Sequence, residues 1–464
     1  MAQQVQIEQL LKVLAQKCRE LESLKGNPQE LQQTLEFMEE LTKKAQKAKQ
    51  AAEAAEAGKP KKPPKPRDKF GNTEQPDIEH QERLFELDPA DLVCPSCGGQ
   101  LEPMQGQFET SEMVDVIEVS YKLVTVKQQK YSCKCGSCVE TAIGPERATP
   151  GGRYSLGFAI KVVVDKYEDH IPLARQQRIL RRHGVKITSQ ALWDQVNVIA
   201  RQLEPVSNAL LASALAEGVI GLDQTSWKRL DGKGKPWQVW CITTPKIICH
   251  RIRDNKGTDT FVDLVGGYEG TVVCDALKTH EAGARESPGI KLAGCWAHVF
   301  RKFKEAEPDH PEAGLATKWI GELYAIDEKA GGDLDRRAKL RQTESATVLE
   351  TFKTWLWSQA VLETLSIGKA AAYVIANWER LNRFTQDPRI PLDNNATERA
   401  IRGPVVGRKN HYGSKSRRGT EAASTIYSLI ETAKLHGVNS QLYLREAVRA
   451  ARRDEVLLPW QMTE

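Results

Sequence analysis

The sequence lacks any apolar run long enough to cross a membrane. No uninterrupted hydrophobic segment approaches the roughly 18–20 residues that a bilayer span requires. The first residues also lack a basic region followed by an apolar core, so we expect neither a membrane partner nor a signal peptide. We therefore expect a cytoplasmic protein. In a reducing cytosol, closely spaced cysteines among the ten in the chain indicate metal binding more often than disulfides.

A large excess of positive charge is absent as well. The 66 Lys and Arg residues only slightly outnumber the 61 Asp and Glu residues, which gives a net charge of +5. Overall charge therefore does not mark the chain as a nucleic-acid-binding protein. The distribution is more informative, because basic residues concentrate in particular stretches. The length of 464 residues allows about two to four domains with substantial cores.

Residues 1–57 have the apolar spacing of a coiled coil. Ile7, Leu10 and Leu14 recur three and four residues apart, and the register returns after a Gly-Asn-Pro break. This pattern predicts a helical coiled coil or hairpin that promotes oligomerisation. Residues 58–90 are first basic and proline-rich and then acidic, which is typical of an extended linker rather than a packed domain.

Residues 91–150 contain two cysteine clusters with the spacing of zinc ligands. The first is a Cys-x-x-Cys-Gly turn, and the second offers three cysteines for two ligand positions. Two such turns joined by a β-hairpin form a four-thiolate ribbon, and the lack of a histidine in the set favours a structural zinc ion over a catalytic one. The predicted zinc ligands are Cys94, Cys97, Cys135 and Cys138, with Cys133 as the alternative to Cys135.

Residues 151–212 are predicted to form three helices, of which the middle one is basic. No acidic residue occurs from His170 through Trp193. Gly184 ends the middle helix, and we expect Ser189 to cap the next one, which should run from Gln190 to about Leu203. Helix, glycine turn and helix are typical of a helix-turn-helix domain that places its last helix on DNA. A plain packing unit is the alternative, and the acid-free surface favours DNA binding. The predicted contacts are Arg175, Arg178, Arg181 and Arg182.

Residues 213–304 change to a pattern of strands in which aspartates follow two buried strands. Residues 219–222 lead to Asp223, and residues 271–274 lead to Asp275. The order of three strands, helix, strand, helix and strand is that of a ribonuclease-H-like α/β core, in which parallel neighbours can present two carboxylates side by side. Either aspartate alone would be interpreted as a turn or helix cap. Two at equivalent strand ends favour an active site.

A helical insertion is expected at residues 305–390, with a return to the core at residues 391–425. Asp393 and Asn394 are good N-cap residues for a helix that carries Glu398 in its first turns. We interpret Glu398 as the third carboxylate of a metal-dependent nucleic-acid site.

A basic, glycine-rich loop is predicted after this helix, and residues 426–464 should form a terminal helical segment. Residues 399–418 contain seven Lys or Arg and no acid, which indicates phosphate contacts. His298 follows the fifth strand, and a solitary histidine there would be interpreted as a surface or helix-packing residue. The other candidate DNA contacts are Arg301, Lys302, Arg399, Arg402, Arg408 and Lys409.

The chain resembles transposases of insertion-sequence family 66, in the DDE transposase superfamily. The resemblance covers nearly the whole chain, and many relatives carry an acidic residue where Gln224 stands. It implies a catalytic triad of Asp223, Asp275 and Glu398, with transposition of the encoding element and binding to its terminal inverted repeats. In this family context, His298 is a candidate contact to the scissile phosphate, with a packing role as the alternative. Its most specific stretches are residues 222–225, 273–276, 295–303 and 393–402.

Three carboxylates gathered from distant positions would repel one another without cations. Hard oxygen ligands favour two magnesium or manganese ions over zinc. We expect a bacterial, nucleoid-associated protein that acts on double-stranded DNA as a homo-oligomer, at least a dimer, with accessory proteins of the same element as possible partners. The alternatives are a ribonuclease-H-like nuclease that cuts without joining, and a catalytically inactive DNA-binding regulator derived from a transposase.

Overall fold

The computed structural model of this chain describes residues 84, 86, 92, 96–103, 120–132, 139–360, 362 and 364–462. The predicted coiled coil, nearly all of the first linker and four of the five candidate zinc ligands lie outside these residues. The chain divides into two compact units, residues 1–118 and 119–464. In the first unit, the Leu101 amide donates to the Leu92 carbonyl at 2.8 Å, and Cys97 is exposed. None of the described helices combines the length and hydrophobicity of a membrane span.

A small antiparallel hairpin opens the second unit. β1 (Lys130–Ser132) pairs with β2 (Val139–Thr141), so that Tyr131 faces Glu140. Residues 120–129, which precede β1, form no strand. The described hairpin therefore flanks the second cysteine cluster. Most of the segment predicted to form a hairpin between the two clusters lies outside the described residues.

Three helices follow, with one correction to the predicted cap. They are α1 (Leu156–Tyr167), α2 (Leu173–Arg182) and α3 (Ser189–Leu215). Thr188, not Ser189, is the N-cap of α3, because its hydroxyl accepts the Ala191 amide at 3.1 Å. The Ser189 hydroxyl instead donates to the Gln177 side chain on α2 at 2.9 Å.

The third helix is also much longer than the segment of 190 to about 203 that the sequence suggested. It continues through Pro205 to Leu215 because its buried face, which includes Leu192, Ile199 and Leu210, lies in the main hydrophobic core. Burial of this face outweighs the cost of an interior proline. The domain boundary predicted at 212/213 therefore falls inside a helix.

A five-stranded sheet forms the centre of the unit, in the order β5-β4-β3-β6-β7. β3 pairs antiparallel with β4 and parallel with β6, which in turn pairs parallel with β7. The two crossovers are α4 (Thr258–Val265) and α5 (Lys278–Glu286). The strands are β3 (Val219–Trp227), β4 (Trp237–Thr243), β5 (Ile248–Arg253), β6 (Gly270–Val273) and β7 (Ile290–Ala293).

The helices within residues 305–390 contribute to a second hydrophobic cluster beside the sheet. This cluster includes Trp296, Phe303 and Phe352. This block begins within α6, because α6 runs from Trp296 to Ala306 and crosses the boundary predicted at 304/305. The remaining helices of the block are α7 (Ala313–Glu328), α8 (Leu334–Leu340), a π-helical turn (Arg341–Ser345), α9 (Ala346–Ala360), α10 (Ser366–Ala376), α11 (Trp378–Leu381) and a 3-10 turn (Arg383–Thr385).

The basic stretch after Glu398 is helical, so the predicted glycine-rich loop is wrong for most of its length. Only the segment around Gly413, with φ of 118°, is a turn between helices. Gly407 lies inside a helix. The position requires a glycine because a Cβ there would overlap the Tyr427 hydroxyl. The helices are α12 (Asn395–Ala400), α13 (Arg402–His411), α14 (Arg417–Leu435) and α15 (Ser440–Ala451), followed by a 3-10 turn (Pro459–Gln461).

α14 covers the edge strand β5, and it does so with hydroxyl groups one turn apart. The hydroxyls of Ser424 and Ser428 accept the amides of Ile252 and His250 at 2.9 and 2.8 Å. Thr432, one turn further on, bonds both backbone groups of Ile248. An edge strand that is satisfied in this way is no longer free to pair with another chain. The boundary predicted at 425/426 lies within this helix, so the terminal helices belong to the sheet-bearing unit.

Candidate active site

The register of the parallel strands brings Asp223 and Asp275 to equivalent positions. Gly221 of β3 faces Val273 of β6, and each aspartate lies two residues further along. Side chains two apart on a strand share a face of the sheet. Asp223 nevertheless lies inside its strand, whereas the sequence predicted it at a strand end. β3 continues past it because it remains paired with β4, where Asp223 faces Cys241.

Glu398 reaches the same region on α12, which is held to β3 by side chains. The Asn394 amide nitrogen donates to the Leu222 carbonyl at 3.0 Å. The hydroxyls of Thr397 and Thr243 lie 2.6 Å apart and fill the space above Gly221. A Cβ at Gly221 would overlap both hydroxyl oxygens. Close approach of the helix therefore depends on a glycine in the strand next to Asp223.

The N-cap prediction at this helix needs a correction. Asn394 is the N-cap by position, but its side chain makes no capping bond because it is directed to β3. Asp393 accepts the backbone and side-chain nitrogens of Asn395 at 2.9 and 2.7 Å. Asp393 also accepts the Tyr324 hydroxyl of α7 at 2.7 Å. The insertion therefore supports the turn that leads to Glu398.

The electrostatics of Asp223 reflect its burial and its neighbours. Burial raises the pKa of Asp223 to about 6, and the carboxylates of Asp275 and Glu398 add to the shift. The Gln224 amide, which donates to Asp223 Oδ1 at 2.7 Å, opposes it. Buried Asp275 Oδ1 has no hydrogen-bond partner among the described residues. Among the described residues, Asp223 and Asp275 therefore have few hydrogen-bond donors to balance their negative charge.

Arg301 and His298 of α6 lie on the other side of Glu398. The Arg301 guanidinium donates to Glu398 Oε1 at 2.8 Å, and His298 Nε2 is 3.7 Å from the same oxygen. Burial and the Arg301 charge lower the pKa of His298, against the pull of Glu398. Potential ligand atoms of Cys295, His298 and Glu398 all lie within 4.8 Å of one another. His298, predicted as an active-site candidate, thus contacts the candidate site.

The remaining predicted DNA contacts fall into two groups. Some are engaged within the protein: Lys302 Nζ lies 4.4 Å from the Tyr373 ring centroid, and Arg408 donates to the Ser226 carbonyl on β3. The others are exposed, some on α2 and some on α12 and α13. The exposed arginines and lysine are Arg175, Arg178, Arg181, Arg182, Arg399, Arg402 and Lys409.

Two residues around Asp275 were not predicted from the sequence. His280 of α5 is fully buried, with Nδ1 at 3.7 Å from Asp275 Oδ1. Arg380 of α11 donates to the Asp275 carbonyl at 3.2 Å. His280 follows Asp275 closely enough in sequence to have been considered. Arg380 lies 105 residues away in the chain, and no local pattern connects it with Asp275.

Comparison with known protein families shows the class of protein to which this chain belongs. A model described as "Transposase IS66 family" matches residues 151–422, and one described as "zinc-finger binding domain of transposase IS66" matches residues 91–136. The first match covers more than half of the chain and includes all three carboxylates. The chain therefore belongs to the IS66 transposase family, as the resemblance indicated.

Individual relatives occur in Sinorhizobium fredii. The uncharacterized protein y4qI is 27% identical over 411 residues, which cover 82% of this chain and 76% of the relative. The uncharacterized protein y4jD is 27% identical over 405 residues, which cover 81% of this chain and 79% of the relative. This chain is similar to both over nearly the same share of its length.

Proposed function

We propose that this protein is a DNA transposase that binds the terminal inverted repeats of its element and catalyses metal-dependent cleavage and strand transfer. The observation that carries the proposal is the convergence of Asp223, Asp275 and Glu398 from two parallel strands and a distant helix. Family membership supports transposase chemistry in general. The proposal assigns the triad to specific residues of this chain.

A ribonuclease-H-like core is the architecture we infer around this triad. Three mutually parallel strands, β3, β6 and β7, support it, together with β4, which is antiparallel to β3, and the edge strand β5, which is antiparallel to β4. The helical block of 305–390 interrupts the core between the second and third carboxylates. We infer that the helices of 151–212 act as a helix-turn-helix domain, and that residues 1–57 mediate oligomerisation to at least a dimer on DNA.

Divalent metal fits the residues of the candidate site. The site offers hard carboxylate oxygens, one of them buried without a donor, and burial together with the charges of Asp275 and Glu398 raises the pKa of Asp223. These properties favour magnesium or manganese, and we propose two ions. When bound, such ions lower the pKa of water and stabilise charge on the leaving oxygen.

The residues of the chain have separate roles in the proposed reaction. Asp223, Asp275 and Glu398 are assigned to supply the metal-binding oxygens, and His298 is assigned to contact the scissile phosphate. Water attacks the phosphodiester and releases a 3′-hydroxyl at the element's end. That hydroxyl then attacks the target DNA. Each step forms one P–O bond and breaks another, so no covalent protein intermediate is required.

Exposed basic residues are proposed to hold the DNA backbone. The four arginines of α2 and the exposed group on α12 and α13 can neutralise phosphates, which fixes register without reading sequence. Arg301 and Lys302 are proposed to join them when DNA is bound. We place the protein on DNA in the bacterial cytoplasm, with accessory proteins of the same element as possible partners.

A structural zinc ion is proposed for the cysteine clusters of residues 91–150. The zinc-finger family match at 91–136 supports zinc in this segment. The proposed ligands are Cys94, Cys97, Cys135 and Cys138, with Cys133 as the alternative to Cys135. The final match residue, 136, precedes Cys138, so mass spectrometry of zinc-protected thiols is the appropriate test of the ligand set.

A strand-transfer assay with purified full-length protein tests the proposed activity. A labelled terminal repeat, target DNA and Mg²⁺ should give both cleaved and joined products, and Asp275→Ala should give neither. Cleavage without joining would identify a nuclease instead. Salt-dependent binding of the repeat without cleavage would identify a regulator, and cleavage by the Asp275→Ala variant would contradict the assigned triad.

A further inference from the structure

We propose that Arg380, which belongs to the helical insertion, is a positioning residue for Asp275. The inference rests on the proposed function, since it assigns Asp275 to the metal site. The insertion then has a specific structural role, because it holds the second carboxylate in place in addition to separating the second and third carboxylates in sequence. Arg380 itself does not touch the reacting atoms.

Arg380 connects the two ends of the turn that carries Asp275. Its Nη2 donates to the Asp275 carbonyl at 3.2 Å and lies 3.8 Å from the Cys274 sulfur. Its Nη1 donates to Glu281 Oε1 on α5 at 2.8 Å. The side chain is only 13% exposed. A guanidinium can make such contacts simultaneously because its donors have a fixed planar arrangement.

The backbone carbonyls of Arg380 and the following residue are both hydrogen-bonded to the segment that leads from β7 into α6. The Arg380 carbonyl accepts the Gly294 amide at 2.9 Å, directly after β7. The neighbouring Leu381 carbonyl accepts the Trp296 indole at 2.8 Å. A Cβ at Gly294 would come within 2.8 Å of the Leu381 side chain. α11 is thus packed closely against the end of β7, so the backbone that carries the Arg380 guanidinium is held in place.

Asp275 depends on such support because few other groups restrain it. Its carbonyl accepts the Leu277 amide at 3.0 Å as well as Arg380. Its buried Oδ1 has no hydrogen-bond partner in the described part of the chain. The direction of the carboxylate therefore follows from the backbone. Arg380 holds that backbone from the insertion, and buried His280 of α5 lies against it from the side of the core. Groups that orient metal ligands in this way commonly change metal affinity about 10- to 100-fold when removed.

General stabilisation of the fold is the competing explanation, and Arg383 provides a matched control. Its side chain is 15% exposed, close to that of Arg380, and it donates to Glu379 at 2.7 Å. It belongs to the same insertion, one helical turn later. None of the hydrogen bonds described for it involves the strand ends or Asp275. Loss of Arg383 removes an ion pair with an exposed carboxylate, so it should cost no more stability than loss of Arg380, and it should leave the metal site unaffected.

The experiment measures Mn²⁺ binding to the full-length protein by electron paramagnetic resonance of the free ion. The variants are Arg380→Gln, Arg383→Gln and Asp275→Asn, with unfolding midpoints as a measure of integrity. We expect Arg380→Gln to weaken Mn²⁺ binding about 10-fold and Arg383→Gln to leave it unchanged. Arg380→Lys keeps the positive charge but has a single donor nitrogen. It should therefore give an intermediate affinity for Mn²⁺, and it tests the proposal even if the glutamine variant does not fold.

The half-saturating Mg²⁺ concentration for cleavage gives a second measure of the same effect. Arg380→Gln should raise it, with most of the maximal rate recovered at high Mg²⁺. Wild-type affinity in both Arg380 variants, or equal losses with Arg383→Gln, would overturn the positioning role. Wild-type binding in Asp275→Asn would overturn the proposed metal site itself. The two failures are therefore distinguishable.

Discussion

The two sides of the candidate site are built in different ways. Asp223 lies in β3, and Asp275 lies two residues past the end of the neighbouring parallel strand β6, so the backbone register of the two strands brings them to equivalent positions. Glu398 lies on a six-residue helix that side chains hold to the sheet through Asn394 and Thr397. On the sheet side, the hydrogen-bond ladder between β3 and β4 runs past Asp223, and Arg380 holds the backbone of Asp275. The helix side depends on a few polar contacts, so we expect it to be the more adjustable of the two.

The largest expected effect is the loss of a carboxylate on the sheet side. Asp223→Asn should reduce cleavage by about 10³-fold or more, because the three carboxylates act together and the other two cannot replace the lost one. The measurement is single-turnover cleavage of a labelled repeat end. Asp263→Asn, at an exposed ion pair on α4, serves as the control. Comparable activity in Asp223→Asn and Asp263→Asn would contradict the assignment of Asp223.

The helix side can be loosened without touching a carboxylate. Asn394→Ala removes the bond to Leu222 and leaves its carbonyl buried, so we expect a loss of about 1–3 kcal/mol in the free energy of unfolding. Cleavage should fall about 10-fold or more because Glu398 is no longer held. Chemical denaturation and cleavage rates measure the two effects.

Asn395→Ala is the matched control for this variant. Asn395 bonds only to Asp393 among the hydrogen bonds described for its side chain. Its substitution should therefore cost less cleavage activity than that of Asn394. The reverse order would show that the bond to β3 does not position Glu398.

The crowding of carboxylates predicts an unusual pH dependence for the metal-free protein. The pKa of Asp223 is raised from 3.8 to about 6 by burial and its acidic neighbours. The folded state therefore keeps a proton that the unfolded state loses, and this contribution to stability falls as pH rises between these values. We expect a loss of about 1–3 kcal/mol from this group.

Denaturation of the metal-free protein from pH 4 to pH 7 measures this effect. Asp223→Asn should remove the decline that wild type shows over this range, and Mg²⁺ should reduce it in wild type. An identical pH dependence in wild type and Asp223→Asn would mean that Asp223 ionises normally.

The smallest expected effect concerns Arg301, whose side chain is 51% exposed. Arg301→Ala should change the free energy of unfolding by less than about 1 kcal/mol, since exposed ion pairs contribute little. Lys304→Ala, which breaks an exposed ion pair with Glu307 on the same helix, is the control. If Arg301 contacts DNA, only its variant should weaken binding of the repeat. Equal binding by the two variants would remove Arg301 from the DNA surface.

The sequence pattern predicted the sheet side of the site well and the helix side less completely. Alternating and buried apolar runs located all five strands, because burial on both faces leaves a strong local pattern. The end of β3 was wrong, since antiparallel pairing with β4 extends the strand beyond Asp223. Helix formation after Glu398 was missed because Gly403, Pro404 and Gly407 disfavour it locally, and tertiary packing outweighs propensity.

Contacts between distant residues had no local pattern at all. The bonds from Asn394 to Leu222 and from Arg380 to Asp275 join elements 172 and 105 residues apart. Asp393 and Asn394 were recognised as a frame for Glu398, but as helix caps and not as partners of α7 and β3. The sequence therefore indicated important residues such as Asp393 and Asn394, but their contact partners could be identified only from the folded structure.

The most direct test of the central claim is Mg²⁺-dependent cleavage and joining of the element's own end by wild type and Glu398→Gln. The substitution keeps the size of the side chain and removes the charge that would complete the triad. We predict both products with wild type and neither with the variant, whose unfolding midpoint should remain close to that of wild type. Retained cleavage in Glu398→Gln would contradict the claim that Glu398 completes the metal site.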